Sequence, residues 1–302
     1  MKVDKLSAFL KIASYFTVII PLICGIVYAC SNTLQGRVTY PSLRSSNTAA
    51  ECRVFANTIP AQSAPLLTYQ QLHEKLEAWV ASEGERATEA AERIEGAYQN
   101  DLTTLDLSSL GLKTLPSVIG QLIQLIELNL SKNQLTTLCA EIAQLSLLRT
   151  LVLSENQLST FPAEISQLRR LEVLILSENQ LRTLPAEIGQ LRQLRFLYLS
   201  LNQLTILPAE IGQLRQLQLL YLNSNQLTTL PAEIGHLLEL LLFLYLHDNQ
   251  LTTLPAEIGH LLQLKRLELR GNPTLSEIPI ALGNLLHITE LDILITAESE
   301  NF

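Results

Sequence analysis

The chain has few residues of the kind that perform chemistry. It contains four cysteines, Cys24, Cys30, Cys52 and Cys139, and none has the spacing of a metal or redox motif. The same spacing argues against a disulfide framework. Cys139 replaces a proline that recurs in sister segments and reads as a small buried apolar residue. No glycine-rich phosphate loop is present. The histidines are His73, His236, His247, His260 and His287. His236 and His260 stand where related segments have glutamine, and His287 ends the last repeat, so drift of a copied motif explains them better than a metal site. Positive charge is also scarce. A net charge of −8 argues against a nucleic-acid backbone as partner, because such binders present a basic face. The acidity is more simply a solubility device. No catalytic constellation, cofactor or metal is expected.

The chain instead repeats itself. LEVLILSENQLRTLPAEIGQLRQ (171–193) fits again after a shift of 23 residues in either direction, as LRTLVLSENQLSTFPAEISQLRR (148–170) and LRFLYLSLNQLTILPAEIGQLRQ (194–216). Further copies lie on both sides, with a divergent first copy from Leu102 and a divergent last one from Leu264. Self-similarity at this period, with the pattern LxxLxLxxNxL, marks a leucine-rich-repeat solenoid. On these residues the chain resembles the bacterial 23-residue leucine-rich repeats with an LPxEIGxL second half. Similar repeats occur in secreted effectors of intracellular bacteria and in eukaryotic Ras-group repeat proteins. The resemblance covers residues 102 to about 295. It implies an α/β solenoid, with a curved parallel sheet on the concave side and short helical turns on the convex side. It says little about function, because the fold serves many binding tasks. Some effectors with similar repeats carry a C-terminal ubiquitin-ligase domain with a nucleophilic cysteine. About a dozen residues follow the last strand here and none is cysteine, so that activity is not expected.

Each part of the repeat has a physical task. In a strand the faces alternate, so Leu174 and Leu176 point inward while Val173 and Ile175 point outward. One repeat cannot cover its own leucines, and stacking buries them. The asparagines Asn133, Asn156, Asn179, Asn202, Asn225, Asn249 and Asn272 form a structural ladder. Each carboxamide is expected to satisfy backbone groups where the chain turns inward after the strand. Pro185 suits a first helical position, Glu187 the positive end of a short helical turn, and Gly189 a quick end to it. Ile188 and Leu191 are expected to pack inward. The carboxylate ladder Glu141, Glu164, Glu187, Glu210, Glu233 and Glu257 follows from copying, with its repulsion screened at the surface.

Residues 1–30 read as a membrane anchor or signal segment. From Ile12 to Cys30 no charge occurs, a length that can span a bilayer core. Lys2, Lys5 and Lys11 precede it and favour a cytoplasmic N-terminus. A retained single-pass helix, a cleaved signal peptide (including a lipoprotein form with lipid on Cys30) and a buried soluble helix remain open. Residues 31–65 read as a linker, rich in Ser, Thr, Asn, Ala and Pro. Residues 66–101 read as a helical cap. Thr68 and Gln71 have capping-box spacing, and Tyr69, Leu72, Leu76, Trp79 and Val80 share one face. Ser82 and Glu85 repeat the box before a second helix reaching about Tyr98. Trp79 reads as the anchor of the cap. The repeats occupy 102–295, and 296–302 form a tail. One extra residue at Leu240 should bulge on the loop side.

The outward strand positions carry the functional signal. The third positions of the repeats run Thr104, Glu127, Thr150, Val173, Phe196, Leu219, Phe243, Arg266, Glu290. The fifth positions run Asp106, Asn129, Val152, Ile175, Tyr198, Tyr221, Tyr245, Glu268, Asp292. Polar ends flank an apolar, aromatic middle: Val152, Val173, Ile175, Phe196, Tyr198, Leu219, Tyr221, Phe243 and Tyr245. An uncovered patch of this kind marks a binding site, and tyrosine is favoured at interfaces. The expected function is therefore a membrane-associated protein, held through residues 12–30, that binds a protein partner on its concave face. The alternatives are the regulatory or recognition half of an enzyme with a separate catalytic chain, and a purely structural surface protein.

Overall fold

Each repeat forms one three-residue strand centred on the second leucine of LxxLxL, as Val173–Ile175 is on Leu174. The computed structural model describes residues 66–292. The apolar segment 12–30, the linker 31–65, the tail 296–302 and Cys24, Cys30 and Cys52 lie outside the described residues. Among the described residues no helix is long and apolar enough to cross a membrane.

Nine strands pair in parallel in chain order: β1 (Thr104–Asp106), β2 (Glu127–Asn129), β3 (Thr150–Val152), β4 (Val173–Ile175), β5 (Phe196–Tyr198), β6 (Leu219–Tyr221), β7 (Phe243–Tyr245), β8 (Arg266–Glu268) and β9 (Glu290–Asp292). The register matches repeat position to repeat position, as in Ile175 opposite Tyr198 and Tyr198 opposite Tyr221. The inward leucines Leu174, Leu176, Leu197, Leu199, Leu220 and Leu222 have no solvent exposure. This alternation is the one expected from the sequence.

The extra residue at Leu240 leaves this register intact. Elsewhere the leucine opening a strand donates to a carbonyl three residues back, as Leu217 N–H does to Leu214 O. Leu241 N–H reaches four residues back, to Leu237 O, so the turn absorbs the insertion before β7 begins.

The other side of each repeat is a 3-10 turn of five residues, as in Ala186–Gln190. Pro185 does not occupy its first helical position. It precedes the turn with extended backbone, and its carbonyl accepts from Ile188 N–H at 3.1 Å. A 3-10 turn closes over three residues, so the proline is needed one place earlier than an α-helix would put it. Ile188 and Leu191 are fully buried as expected. Gly189 does not end the turn but lies inside it. A Cβ there would come 2.9 Å from Glu210 O of the next repeat, so the glycine allows close stacking of the turns.

The asparagine ladder is buried and fully bonded. Asn179 Nδ2 donates to Leu153 O at 2.9 Å and to Leu176 O at 3.1 Å, and its Oδ1 accepts from Leu158 N–H at 3.0 Å. Leu153 and Leu158 belong to the preceding repeat, so each asparagine joins two repeats as well as completing its own turn. The residue before it adopts a left-handed conformation: Lys132, Glu155, Glu178, Leu201, Ser224 and Asp248 have φ between 55° and 57°.

Helices α1 (Tyr69–Glu83) and α2 (Arg86–Gln99) pack on the first repeat. Leu72, Leu76 and Ile94 join the same apolar core as the repeats. The Thr68–Gln71 capping box is formed. Ser82 caps nothing: its hydroxyl donates to Trp79 O, and Gly84, at φ 92°, separates the helices instead. Tyr69 leaves the apolar face, is 43% exposed and stacks on His73. Trp79 is packed against the core, and its indole N–H donates to Thr114 Oγ1 of the first repeat at 3.0 Å. Glu83 accepts from the same hydroxyl.

Candidate partner-binding face

The outward positions of nine in-register strands make one continuous face. Repeat register alone sets its columns. Along the fifth-position column, Tyr198 and Tyr221 stack with ring centroids 5.0 Å apart at 13°, and Tyr221 and Tyr245 at 4.1 Å and 2°. The strand spacing of a sheet, about 4.8 Å, is near the stacking distance of aromatic rings, so identical residues at one position stack without rearrangement. Burial pushes the Tyr198 phenol above its ordinary range, with Tyr245 adding to the shift. The Tyr198 phenol is therefore a neutral hydrogen-bonding group at physiological pH.

The nine apolar residues expected here lie on this face, but it is less bare than the sequence suggests. Val152, Phe196, Tyr198, Leu219, Tyr221 and Phe243 are half-buried. Tyr245 is 9% exposed, lying between the Tyr221 ring and the Arg266 guanidinium, whose carbon is 5.7 Å from its centroid. Val173 and Ile175, shorter than the rings of Phe196 and Tyr198 in register with them, are 2% and 6% exposed. The surface on offer is thus a band of ring faces and edges.

The charged ends differ from one another. On β8 and β9 every outward carboxylate has a cation beside it. Glu268 Oε1 is 2.8 Å from Arg266 Nε, and its Oε2 is 2.9 Å from His247 Nδ1. Glu290 also pairs with Arg266, and Asp292 lies 3.8 Å from Arg270. On β1 and β2, Asp106 and Glu127 are exposed and have no ion-pair partner among the described residues. At the strand-end rim of β3 and β4, Lys132 lies 3.6 Å from Glu155, and Glu178 follows with no cation of its own. Burial raises the Glu178 carboxyl above its usual range, Glu155 raises it further, and Lys132 only partly offsets this.

The sequence alignment missed the cluster of His247, Arg266 and Glu268 that closes the tyrosine stack. The signal was present: His247 stands two residues after Tyr245, and Glu268 is in register with Tyr245 on the next strand. Cys139 lies among the turns on the opposite side, its thiol pushed up to about 11 chiefly by burial, which suits a packing residue. Among the described residues no three His, Cys, Asp or Glu side chains gather as a metal site would require.

The model of the family described as "Leucine-rich repeat region" matches residues 131–220 and 186–302. The structure of a leucine-rich repeat protein of Leptospira interrogans is 42% identical over 66% of this chain, with a TM-score of 0.57. The chain covers 57% of that protein, little more than half its length. YopM, a leucine-rich effector protein of Yersinia pestis, is 27% identical over 75% of this chain and 60% of its own, with a TM-score of 0.60. The plant peptide hormone receptor RGFR1, in complex with RGF2, is 27% identical over 67% of this chain and 37% of its own, at 0.53. No curated protein matches the chain by sequence.

Proposed function

The chain belongs to the leucine-rich-repeat family, and from that premise we propose that it is a binding protein whose open sheet face, centred on Tyr198, Tyr221 and Tyr245, holds a protein partner. The observation that carries this reading is the tyrosine stack itself. Rigid stacked rings present contact area at little entropic cost, and such residues dominate the binding energy of many interfaces. The solved relatives include an effector protein and a receptor captured with RGF2, which agrees with a binding role. The apolar run Ile12–Cys30 supports attachment of the chain to a membrane, and Lys2, Lys5 and Lys11 favour the N-terminus on the cytoplasmic side. The similarity to the Leptospira and Yersinia proteins supports a bacterial surface or effector protein.

The test is affinity capture with the full chain and with Tyr221→Ala in parallel, followed by calorimetry on the partner recovered. Tyr221→Ala should weaken binding by about 1–2 kcal/mol or more. Its thermal melt should hardly change, because no inward leucine is touched. Equal affinity for Tyr198→Ala, Tyr221→Ala and Tyr245→Ala would place the binding site elsewhere. Resistance of the full chain to carbonate extraction from membranes tests the anchor, and free solubility would defeat it.

A further inference from the structure

The uneven charge of the face points to the chemistry of its partner. The carboxylates of β8 and β9 each lie beside Arg266 or Arg270, and His247 Nδ1 is 2.9 Å from Glu268 as well. Those of β1 and β2, Asp106 and Glu127, have no ion-pair partner among the described residues, although the Arg93 guanidinium donates to the Asp106 main-chain carbonyl at 2.7 Å, and the adjoining rim adds Glu155 and Glu178 against Lys132. Among the outward strand positions, carboxylates without an ion-pair partner thus lie at one end of a face whose middle is aromatic, although Asp248 on the rim after β7 also has no ion-pair partner among the described residues. Complementary potential steers encounter and fixes register at interfaces.

We propose that the partner is a polypeptide segment with a cluster of Lys or Arg at one end and an apolar or aromatic cluster at the other, lying across the strands with its basic end on β1–β2 and its apolar end on the tyrosine stack. This rests on the open face being the binding site. Glu127 on β2 and Asp106 on β1 are four and five strands from Tyr221 on β6. At about 4.8 Å per strand that is about 19–24 Å. The two clusters should therefore be about six or seven residues apart in an extended segment, or about 13–16 in a helix. A cation placed on that rim would offset the repulsion between Glu178 and Glu155, as Lys132 already does in part.

A library of random 20-residue peptides displayed on phage, selected on the full chain at low salt, tests this directly. Enriched peptides should carry both clusters at one of the two spacings. A synthetic copy of one should lose at least tenfold in affinity against Glu127→Lys combined with Asp106→Asn, and should bind more weakly as salt rises. The asparagine keeps the acceptor for Ser108 N–H, so the local turn is preserved. Tyr221→Ala should weaken the same peptide. Enriched peptides without basic residues, or an affinity within twofold after the charge changes while Tyr221→Ala still acts, would overturn the proposed polarity and leave the face as the binding site. Peptides indifferent to Tyr198→Ala and Tyr221→Ala alike would overturn both. Self-association of the chain that Tyr221→Ala abolishes would assign the face to a second copy instead. A selection that enriches nothing would exclude a linear segment as the partner.

Discussion

At the scale of single residues, the asparagine ladder shows what a repeat position is for. The sequence reveals a carboxamide at a turn, since Asn recurs after every strand from β2 to β8. It does not reveal that the carbonyl end reaches backwards, because Leu158 N–H lies 21 residues before Asn179 and only stacking brings the two together. Asn179→Ala removes four bonds to backbone groups that stay buried, and should destabilise the full chain by about 1–3 kcal/mol in urea melts. Glu187→Ala, on the exposed side of its turn, should change stability by less than about 0.5 kcal/mol. The reverse order would mean that the two sides of the repeat have been exchanged. The same limit applies to the tyrosine-lined face. The tyrosine column could be read by aligning repeats, but its closure by Arg266 over Tyr245 needs the register of two strands.

At the scale of elements, strands and the first cap helix were legible, because period-two and period-3.6 apolar patterns are local. The turns were harder. Their glycines look like helix stops in one dimension and are contact points in three. A Cβ at Gly235 would come 2.6 Å from Glu257 O, so Gly235→Ala must push two turns apart and should cost about 1–3 kcal/mol by denaturant melt. The cap contains a pH-sensitive contact the sequence did not suggest. His73 on α1 is bonded to Glu95 on α2 and lies 3.3 Å from Glu77. The Glu95 bond raises its pKa above the ordinary value; burial opposes this, and the charges of Glu95 and Glu77 add to the rise. A histidine raised on folding contributes fully below its unfolded pKa, about 6.5, and that contribution is lost as pH rises through the folded value. The cap should therefore melt at a higher temperature at pH 6 than at pH 8. His73→Ala should remove that difference, and an unchanged difference would rule the contact out as its source.

At the scale of the whole described molecule, stability is a chain of nearest-neighbour terms, so position along the array decides what a substitution costs. Leu197 in β5 and Leu291 in β9 occupy the same inward position. Leu197 has repeats on both sides and no exposure, whereas Leu291 is 46% exposed. Leu197→Ala should cost about 2–5 kcal/mol, as for a core cavity. Leu291→Ala should cost about 1 kcal/mol or less, because much of that side chain already meets water. Equal costs would contradict nearest-neighbour stacking. Array and cap could both be foreseen from repeats and helical faces, since each is written in contiguous residues. The uneven ion pairing of the outward face could not, because it depends on which of several similar carboxylates finds a cation across neighbouring strands.

The bond from Trp79 to Thr114 also makes the seam between cap and array observable. The chain has a single tryptophan, and its indole lies at that junction. Its emission is therefore a local optical gauge of one boundary, while the circular dichroism of the strands and turns reports the rest. A red shift at lower denaturant than the loss of ellipticity would show the cap lifting from an array still folded, and coincident curves would show the two melting as one unit.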